Sequence, residues 1–193
     1  RLFFEQAEPG NRAQSVVPVY FSFPDTVVDR WDFCLKYAEN FLRWYTAFRL
    51  QDVTLFSEEL FPRKELVHCF QTRYTPSEME VRIPKFIQAL EDKAITLPEE
   101  STLSLPRRIA ARDDSTIAMF QDEFQNTRLP QYDFDIVGFM QEAVESPTCP
   151  HFVTGSAVSI LGQEVLGRGA LFGRFRSQAI EGMSEYWGAE LAR

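Results

Sequence analysis

The segment Ser115–Gln125 places the strongest constraint on how this chain can fold. Its sequence, STIAMFQDEFQ, is an apolar run that ends in two adjacent carboxylates, Asp122 and Glu123. A continuous apolar segment such as Ile117–Phe120 is typical of a parallel strand that is covered on both faces, whereas a half-exposed strand alternates apolar and polar residues. Open α/β sheets bind ligands at the carboxyl ends of such strands. The pattern also marks an ordinary strand end or the first turn of a helix, so the segment alone leaves its role open.

Length and charge favour one ordinary globular domain. The 193 residues have 45% hydrophobic and 25% charged content, which is enough for one sizeable core. The formal net charge of -8 gives no overall basic surface of the kind that drives nonspecific binding to nucleic acid. No apolar run approaches the roughly 20 residues of a membrane helix, so we expect no membrane partner.

The cysteines and histidines predict neither a disulfide framework nor a zinc site. Cys34, Cys69 and Cys149 are far apart and odd in number, which fits a protein of the reducing cytoplasm. We expect Cys34 and Cys69 to be small buried apolar residues. His68 and His151 have no partners at metal-ligand spacing.

Hydrophobic periodicity predicts strands that alternate with helices. Val16–Phe23 is rich in β-branched and aromatic residues and predicts a strand, and Val27–Leu50 has the spacing of a long amphipathic helix. Short helices are predicted between residues 51 and 92, and a connecting loop over 94–114, where Pro98 and Pro106 interrupt a polar stretch. Residues 1–7 are predicted to be the last turns of a helix, and further helices are predicted over 132–145 and 158–166 and from 183 onward, with a last strand over 175–180. This order predicts an α/β fold with a parallel sheet.

A second strand-and-turn unit follows the acidic one. Phe152–Thr154 is a short apolar strand that runs directly into Gly155 and Ser156. In a parallel sheet, the hydroxyls of Thr154 and Ser156 are expected at the same edge as Asp122.

Three motifs together resemble the archaeal-type ATPases, a family of P-loop proteins related to AAA and STAND ATPases. The motifs are FQDEFQ at 120–125, VTGSAVSIL at 153–161 and ALFGRF at 170–175. They stand in the family's order and at its approximate spacing. The resemblance implies a P-loop NTPase-like core with a parallel sheet and extra helices, and binding and hydrolysis of ATP with Mg²⁺ as a conformational switch.

The resemblance also implies roles for five residues. Asp122 would hold Mg²⁺, and Glu123 would orient or activate the attacking water. Thr154 or Ser156 would take the position that senses the γ-phosphate. Arg174 would stabilise the charge that develops during transfer, although a surface role for this arginine is equally open.

The chain departs from the family at two places. The phosphate-binding string Gly-x-x-x-x-Gly-Lys-Ser/Thr does not occur between Arg1 and Arg193. We therefore expect a partial ATPase core over 1–182, with a helical segment at about 51–114, the central P-loop strand missing and a lid region beginning at 183–193. Such a chain should be inactive and unstable alone. The other departure is Gln121, which stands where the family has an apolar residue and would either face a loop or weaken the assignment.

Three functional hypotheses follow. The first is the Mg²⁺- and γ-phosphate-facing part of an ATPase, and the alternative is a degenerate, non-hydrolysing interaction module of the same fold. The third is an unrelated acidic helical binding domain. A protein partner or self-association is left open. Nucleic acid enters only by analogy, through regions outside this chain.

Overall fold

The three apolar strands form one parallel sheet. The computed structural model describes residues 16–73, 79–156, 169–176 and 178. The strands are β1 (Val16–Ser22), β2 (Thr116–Asp122) and β3 (His151–Val153), and they lie in the order β1-β2-β3. Ser22 pairs with Asp122 and Gln121 pairs with Val153, so the carboxyl ends of the three strands meet at one edge. The predicted α/β class with a parallel sheet is confirmed at this level.

Helices fill both connections between the strands. Those between β1 and β2 are α1 (Arg30–Leu50), a 3-10 turn (Val53–Phe56), α2 (Arg63–Arg73), α3 (Met79–Glu91), α4 (Pro98–Leu103) and α5 (Leu105–Arg112). A 3-10 turn (Phe124–Arg128) and α6 (Ile136–Ala143) lie between β2 and β3. No helix among the described residues is both long and apolar enough to cross a membrane.

Helix α1 forms because its sequence combines a cap with a periodic apolar face. The Asp29 carboxylate accepts hydrogen bonds from the backbone N–H groups of Trp31 and Asp32, which have no partners within the helix. This cap starts the helix three residues later than predicted. Residues four apart then share the face that is buried in the core, namely Phe33, Tyr37, Phe41 and Tyr45.

The predicted connecting loop over 94–114 is wrong, because α4 and α5 occupy most of it. Pro98 is the first residue of α4 and Pro106 is the second residue of α5. Proline is tolerated in the first turn of a helix, where its missing N–H would have no partner in any case. Each proline therefore marks the start of a helix here and not an irregular segment.

The two faces of the sheet are covered to different extents. Phe21 packs against Tyr37 of α1 at a ring distance of 4.8 Å, and Val19 and Met119 are fully buried. On the opposite face, Tyr20 is 44% and Phe152 is 50% exposed. The prediction that the strand segment 117–120 is covered on both faces holds for residues 117–119 and fails at Phe120, which is only partly buried beside Phe152.

Strand β2 is paired on both sides, which restricts where another strand could join. β1 occupies one edge of β2 and β3 occupies the other. Within the described part of the chain, no place beside β2 is vacant. A further strand, such as the expected P-loop strand, could pair only with the outer edge of β1 or of β3.

Gln121 does not face a loop. It is 1% exposed, and its amide lies close to the Tyr37 hydroxyl. Burial raises the pKa of this phenol, and the Gln121 amide opposes that rise. Neither amide atom has a partner in hydrogen-bonding geometry. Gln121 is thus a polar residue inside the core at the end of the middle strand, a placement that usually carries a cost in stability.

Several predicted elements lie outside the described residues. They are the helix end at 1–7, the helix over 158–166 and the helix from 183. Most of the predicted strand over 175–180 also lies outside the described residues. Phe175 and Arg176 are described, and they are not in a strand. Cys34 and Cys69 are buried, as predicted, and both are free thiols.

Phe33 provides a test of the aromatic core. Its ring lies 5.8 Å from both Tyr132 and Phe134 and 6.1 Å from Phe21. Phe33→Ala should lower the free energy of unfolding by roughly 3–5 kcal/mol, because it leaves a cavity where these rings meet. Urea unfolding of the protein followed by circular dichroism measures this loss. Phe172→Ala is the matched control: Phe172 is 59% exposed, and equal losses in the two variants would contradict the described core.

Candidate functional site

The ends of the three strands are held together by backbone hydrogen bonds. The Phe23 N–H donates to the Asp122 carbonyl at 2.9 Å, and the Thr154 N–H donates to the Gln121 carbonyl at 2.8 Å. After the turn at Glu123, the Phe124 N–H donates back to the Thr154 carbonyl at 3.1 Å. These bonds fix the backbone from which Asp122 and Thr154 project.

The Asp122 carboxylate accepts three hydrogen bonds. Thr154 Oγ1 and the Glu123 N–H both donate to Oδ1, at 2.6 and 2.9 Å, and the Tyr20 hydroxyl donates to Oδ2 at 3.1 Å. The hydrogen bond from Thr154 lowers the pKa of Asp122 most, and the bond from the Glu123 N–H lowers it next. Together they hold this pKa below its ordinary value of 3.8, although partial burial raises it. Asp122 is therefore charged at neutral pH, and its orientation is fixed.

Tyr20 is a member of the site that the sequence analysis missed. Burial and, next, the Asp122 carboxylate raise the pKa of this phenol, so it stays protonated and donates. The strand register indicates that Tyr20 is near Asp122. Ser22 pairs with Asp122, and Tyr20 lies two residues before Ser22, so its side chain is on the same face of the sheet. The signal becomes readable only once the pairing of β1 with β2 is known.

Glu123 stands at a sharp turn with its side chain exposed. Its φ of 55° lies in the left-handed region, which is uncommon for residues other than glycine. The turn redirects the chain from β2 into the following 3-10 turn. The carboxylate accepts a hydrogen bond from the Gln125 side-chain amide.

Ser156 joins the same cluster through Gln125. The Ser156 N–H donates to Gln125 Oε1 at 3.2 Å, and the residue is exposed just beyond β3. Gln125 thus contacts both the Glu123 carboxylate and the Ser156 backbone N–H. The structure brings together four of the five predicted site residues, which are Asp122, Glu123, Thr154 and Ser156.

Arg174 is placed differently from these four. Its Nε donates to the Glu145 carboxylate at 2.8 Å, and its Nη1 donates to the Ala170 carbonyl at 3.2 Å. None of the hydrogen bonds described for Arg174 reaches the carboxyl edge of the sheet. Its charge is engaged with Glu145, and its role at the site stays a prediction.

The donor atoms at this edge are oxygens, which suit hard cations such as Mg²⁺. Among the described residues, no three histidine, cysteine or acidic side chains converge on a point where they could hold a metal. The edge offers one fixed carboxylate together with hydroxyl oxygens. Mg²⁺ is commonly bound in this way, by one or two carboxylates with the remaining positions taken by water and substrate phosphates. The residues therefore fit Mg²⁺ that arrives with a phosphate ligand and do not form a complete metal site by themselves.

A cleft elsewhere on the surface involves none of the predicted site residues. It has a volume of about 670 Å³ and is lined by residues of the loop before α6, among them Tyr132, Asp133 and Phe134, and by Ala170. Tyr132 is itself engaged, since its hydroxyl donates to the Pro24 carbonyl at 2.7 Å. The four predicted site residues that cluster at the sheet edge therefore lie outside this cleft.

Comparisons with protein-family models, with curated proteins and with solved structures found no match to this chain. The described residues form a mixed α/β fold with a small parallel sheet, and the Asp122 carboxylate lies at the carboxyl edge of that sheet. The resemblance to P-loop ATPases depends on the three sequence motifs alone.

The bond between Thr154 and Asp122 can be tested by titration. Thr154→Val removes the hydroxyl that contributes most to the low pKa of Asp122, so this pKa should rise toward 3.8. Because the folded-state pKa is depressed, the stability that Asp122 contributes is present above pH 3.8 and is lost as the pH falls through the folded value. Thr154→Val should shrink this acid-labile contribution.

NMR titration of the Asp122 side-chain carboxyl carbon reports the pKa of Asp122, and Thr154→Ser, which keeps the hydroxyl, should leave this pKa low. An unchanged pKa in the valine variant would contradict the assignment.

Proposed function

We propose that this chain supplies the Mg²⁺- and water-facing half of a site that hydrolyses a nucleoside triphosphate, ATP by the sequence resemblance. The observation that carries the proposal is the Asp122 carboxylate, charged and fixed by Tyr20, Thr154 and the Glu123 N–H at the carboxyl edge of a parallel sheet. A fixed carboxylate at this position suits phosphoryl transfer, where catalysis depends mainly on positioning and on electrostatic stabilisation.

The hydrogen bonds of Asp122 indicate which of its oxygens faces the ion. Oδ1 accepts two hydrogen bonds, and Oδ2 accepts one, from Tyr20. A carboxylate oxygen has two acceptor positions, so Oδ2 retains one for a metal-bound water or the ion itself. Mg²⁺, when bound, would neutralise negative charge on the β- and γ-phosphates.

Glu123 is the residue suited to act on water. It is exposed, whereas Asp122 is partly buried among its donors, and it is the next residue along the chain. Its carboxylate is oriented by the Gln125 amide and can accept a proton or a hydrogen bond from the attacking water. The two adjacent acids thus have different surroundings and different proposed roles.

The contacts of Thr154 and Ser156 separate the two candidates for the γ-phosphate position. The Thr154 hydroxyl donates its proton to Asp122 at 2.6 Å, and therefore serves the carboxylate. Ser156 uses its backbone N–H in the contact with Gln125, and the residue is exposed. Ser156 is the better placed of the two to donate a hydroxyl proton to a phosphate oxygen.

The phosphate-binding loop of P-loop ATPases does not occur in this sequence. No Gly-x-x-x-x-Gly-Lys-Ser/Thr string occurs in its 193 residues, and Arg174 is paired with Glu145. Backbone N–H groups and a lysine of such a loop normally hold the phosphates. The proposed ATPase activity therefore belongs to the protein that contains both halves, and a non-hydrolysing module of the same fold is the alternative outcome.

Glu123→Gln, made in the protein that contains both halves, tests this proposal. Hydrolysis should slow by about 10² or more, because the amide cannot accept a proton from water, while ATP binding is retained. Steady-state phosphate release and equilibrium titration with a fluorescent ATP analogue measure the two quantities. Glu59→Gln, at another exposed glutamate, is the matched control and should behave as wild type.

Two results would contradict the proposal. Normal turnover in the Glu123→Gln protein would remove Glu123 from the water position. Nucleotide binding without hydrolysis in the wild-type protein would favour the non-hydrolysing module.

A further inference from the structure

We infer that Gln125 is a positioning residue, which couples the orientation of the Glu123 carboxylate to the backbone at Ser156. This inference rests on the proposed function of Glu123. Gln125 lies in the 3-10 turn that follows β2, two residues after Glu123. One side-chain amide therefore connects the acidic turn after β2 with the loop after β3.

The direction of both hydrogen bonds is fixed by chemistry. The Ser156 backbone N–H can only donate, and an ionised Glu123 carboxylate can only accept. The Gln125 amide must therefore turn its oxygen to Ser156 and its nitrogen to Glu123, as observed. The reverse orientation would break both bonds, so the contact with Ser156 determines that an N–H group faces Glu123.

The backbone around Gln125 is anchored on both sides. Phe124 is fully buried, and its N–H donates to the Thr154 carbonyl at 3.1 Å. The Asn126 side-chain amide donates to the Phe23 carbonyl at 2.8 Å, which ties the turn to the end of β1. Gln125 thus projects from a rigid support, and rigid support is what precise positioning of a reacting group requires.

Glu123, in contrast, has little else to orient it. It is exposed, and in the described structure the Gln125 amide is the side chain that donates to its carboxylate. An exposed glutamate without such a donor samples several rotamers. Loss of the Gln125 amide therefore releases the Glu123 carboxylate while the fold of the turn is kept by Phe124 and Asn126.

The coupling has a consequence for the proposed reaction. Ser156 is the candidate contact to the γ-phosphate, and its N–H holds the Gln125 oxygen. A shift of the Ser156 backbone when phosphate binds changes the position of this amide and, with it, the orientation of Glu123. Through this link, the occupied γ-phosphate position aligns the residue that acts on water.

The test uses two variants of Gln125 in the protein that hydrolyses ATP. Gln125→Ala removes both hydrogen bonds. Gln125→Glu keeps an acceptor for the Ser156 N–H and removes the donor to Glu123. Both variants should lower kcat by roughly 10-fold or more, since small errors in the placement of a reacting group are costly, with ATP affinity within about 2-fold of wild type. Gln131→Ala is the matched control, because the Gln131 amide donates to a backbone carbonyl, that of Asp25, outside the site.

Two readouts separate positioning from a merely structural role. In the Glu123→Gln background, Gln125→Ala should cause little further loss of kcat, because the group that it positions is already disabled. The Ser156 amide proton resonance should move in Gln125→Ala and stay near its wild-type position in Gln125→Glu. Additive losses of kcat, an unmoved Ser156 resonance in Gln125→Ala, or an equal loss in Gln131→Ala would overturn the inference. Absence of hydrolysis in the wild-type protein would instead overturn the proposed function together with this inference.

Discussion

The pairing of β2 with a parallel neighbour on each side is the constraint on which the rest of this structure depends. The register of β1 with β2 sets Ser22 beside Asp122, and the register of β2 with β3 sets Val153 beside Gln121. Residues from three distant parts of the chain therefore reach one edge. A shift of one residue in either pairing would move Tyr20 or Thr154 to the other face of the sheet, away from Asp122.

The hydrogen bonds at this edge give two neighbouring carboxylates different properties. Asp122 is charged and held by three donors, which lower its pKa, whereas Glu123 is exposed at a left-handed turn and held by one side-chain amide. A carboxylate with a fixed charge, such as Asp122, is suited to bind a metal ion, and an accessible hydrogen-bond acceptor, such as Glu123, is suited to bind water. The two roles proposed for these acids follow from this difference in surroundings.

The sequence predicted the parts of the fold that have a strong period or a clear stop. Val16–Phe23 and the long helix that ends at Leu50 were found nearly as predicted, because apolar spacing and the flanking Pro24 are local signals. The helices α4 and α5 were missed, since Pro98 and Pro106 indicate either a loop or the start of a helix, and the choice depends on tertiary packing. The contact of Tyr20 with Asp122 and that of Gln125 with Ser156 depend on strand register, which the sequence of a single chain does not specify. The pairing of Arg174 with Glu145 is likewise a long-range contact without a local signal.

The most direct test of the central claim is to locate a paramagnetic ion at the sheet edge. Mn²⁺ can replace Mg²⁺ and, with a non-hydrolysable ATP analogue, broadens the NMR signals of nearby nuclei in the protein that contains both halves of the site. The account predicts broadening concentrated at residues 20–22, 122–125 and 154–156, and its loss in the Asp122→Asn variant. Broadening that is absent from these residues, or that persists unchanged in Asp122→Asn, would contradict it.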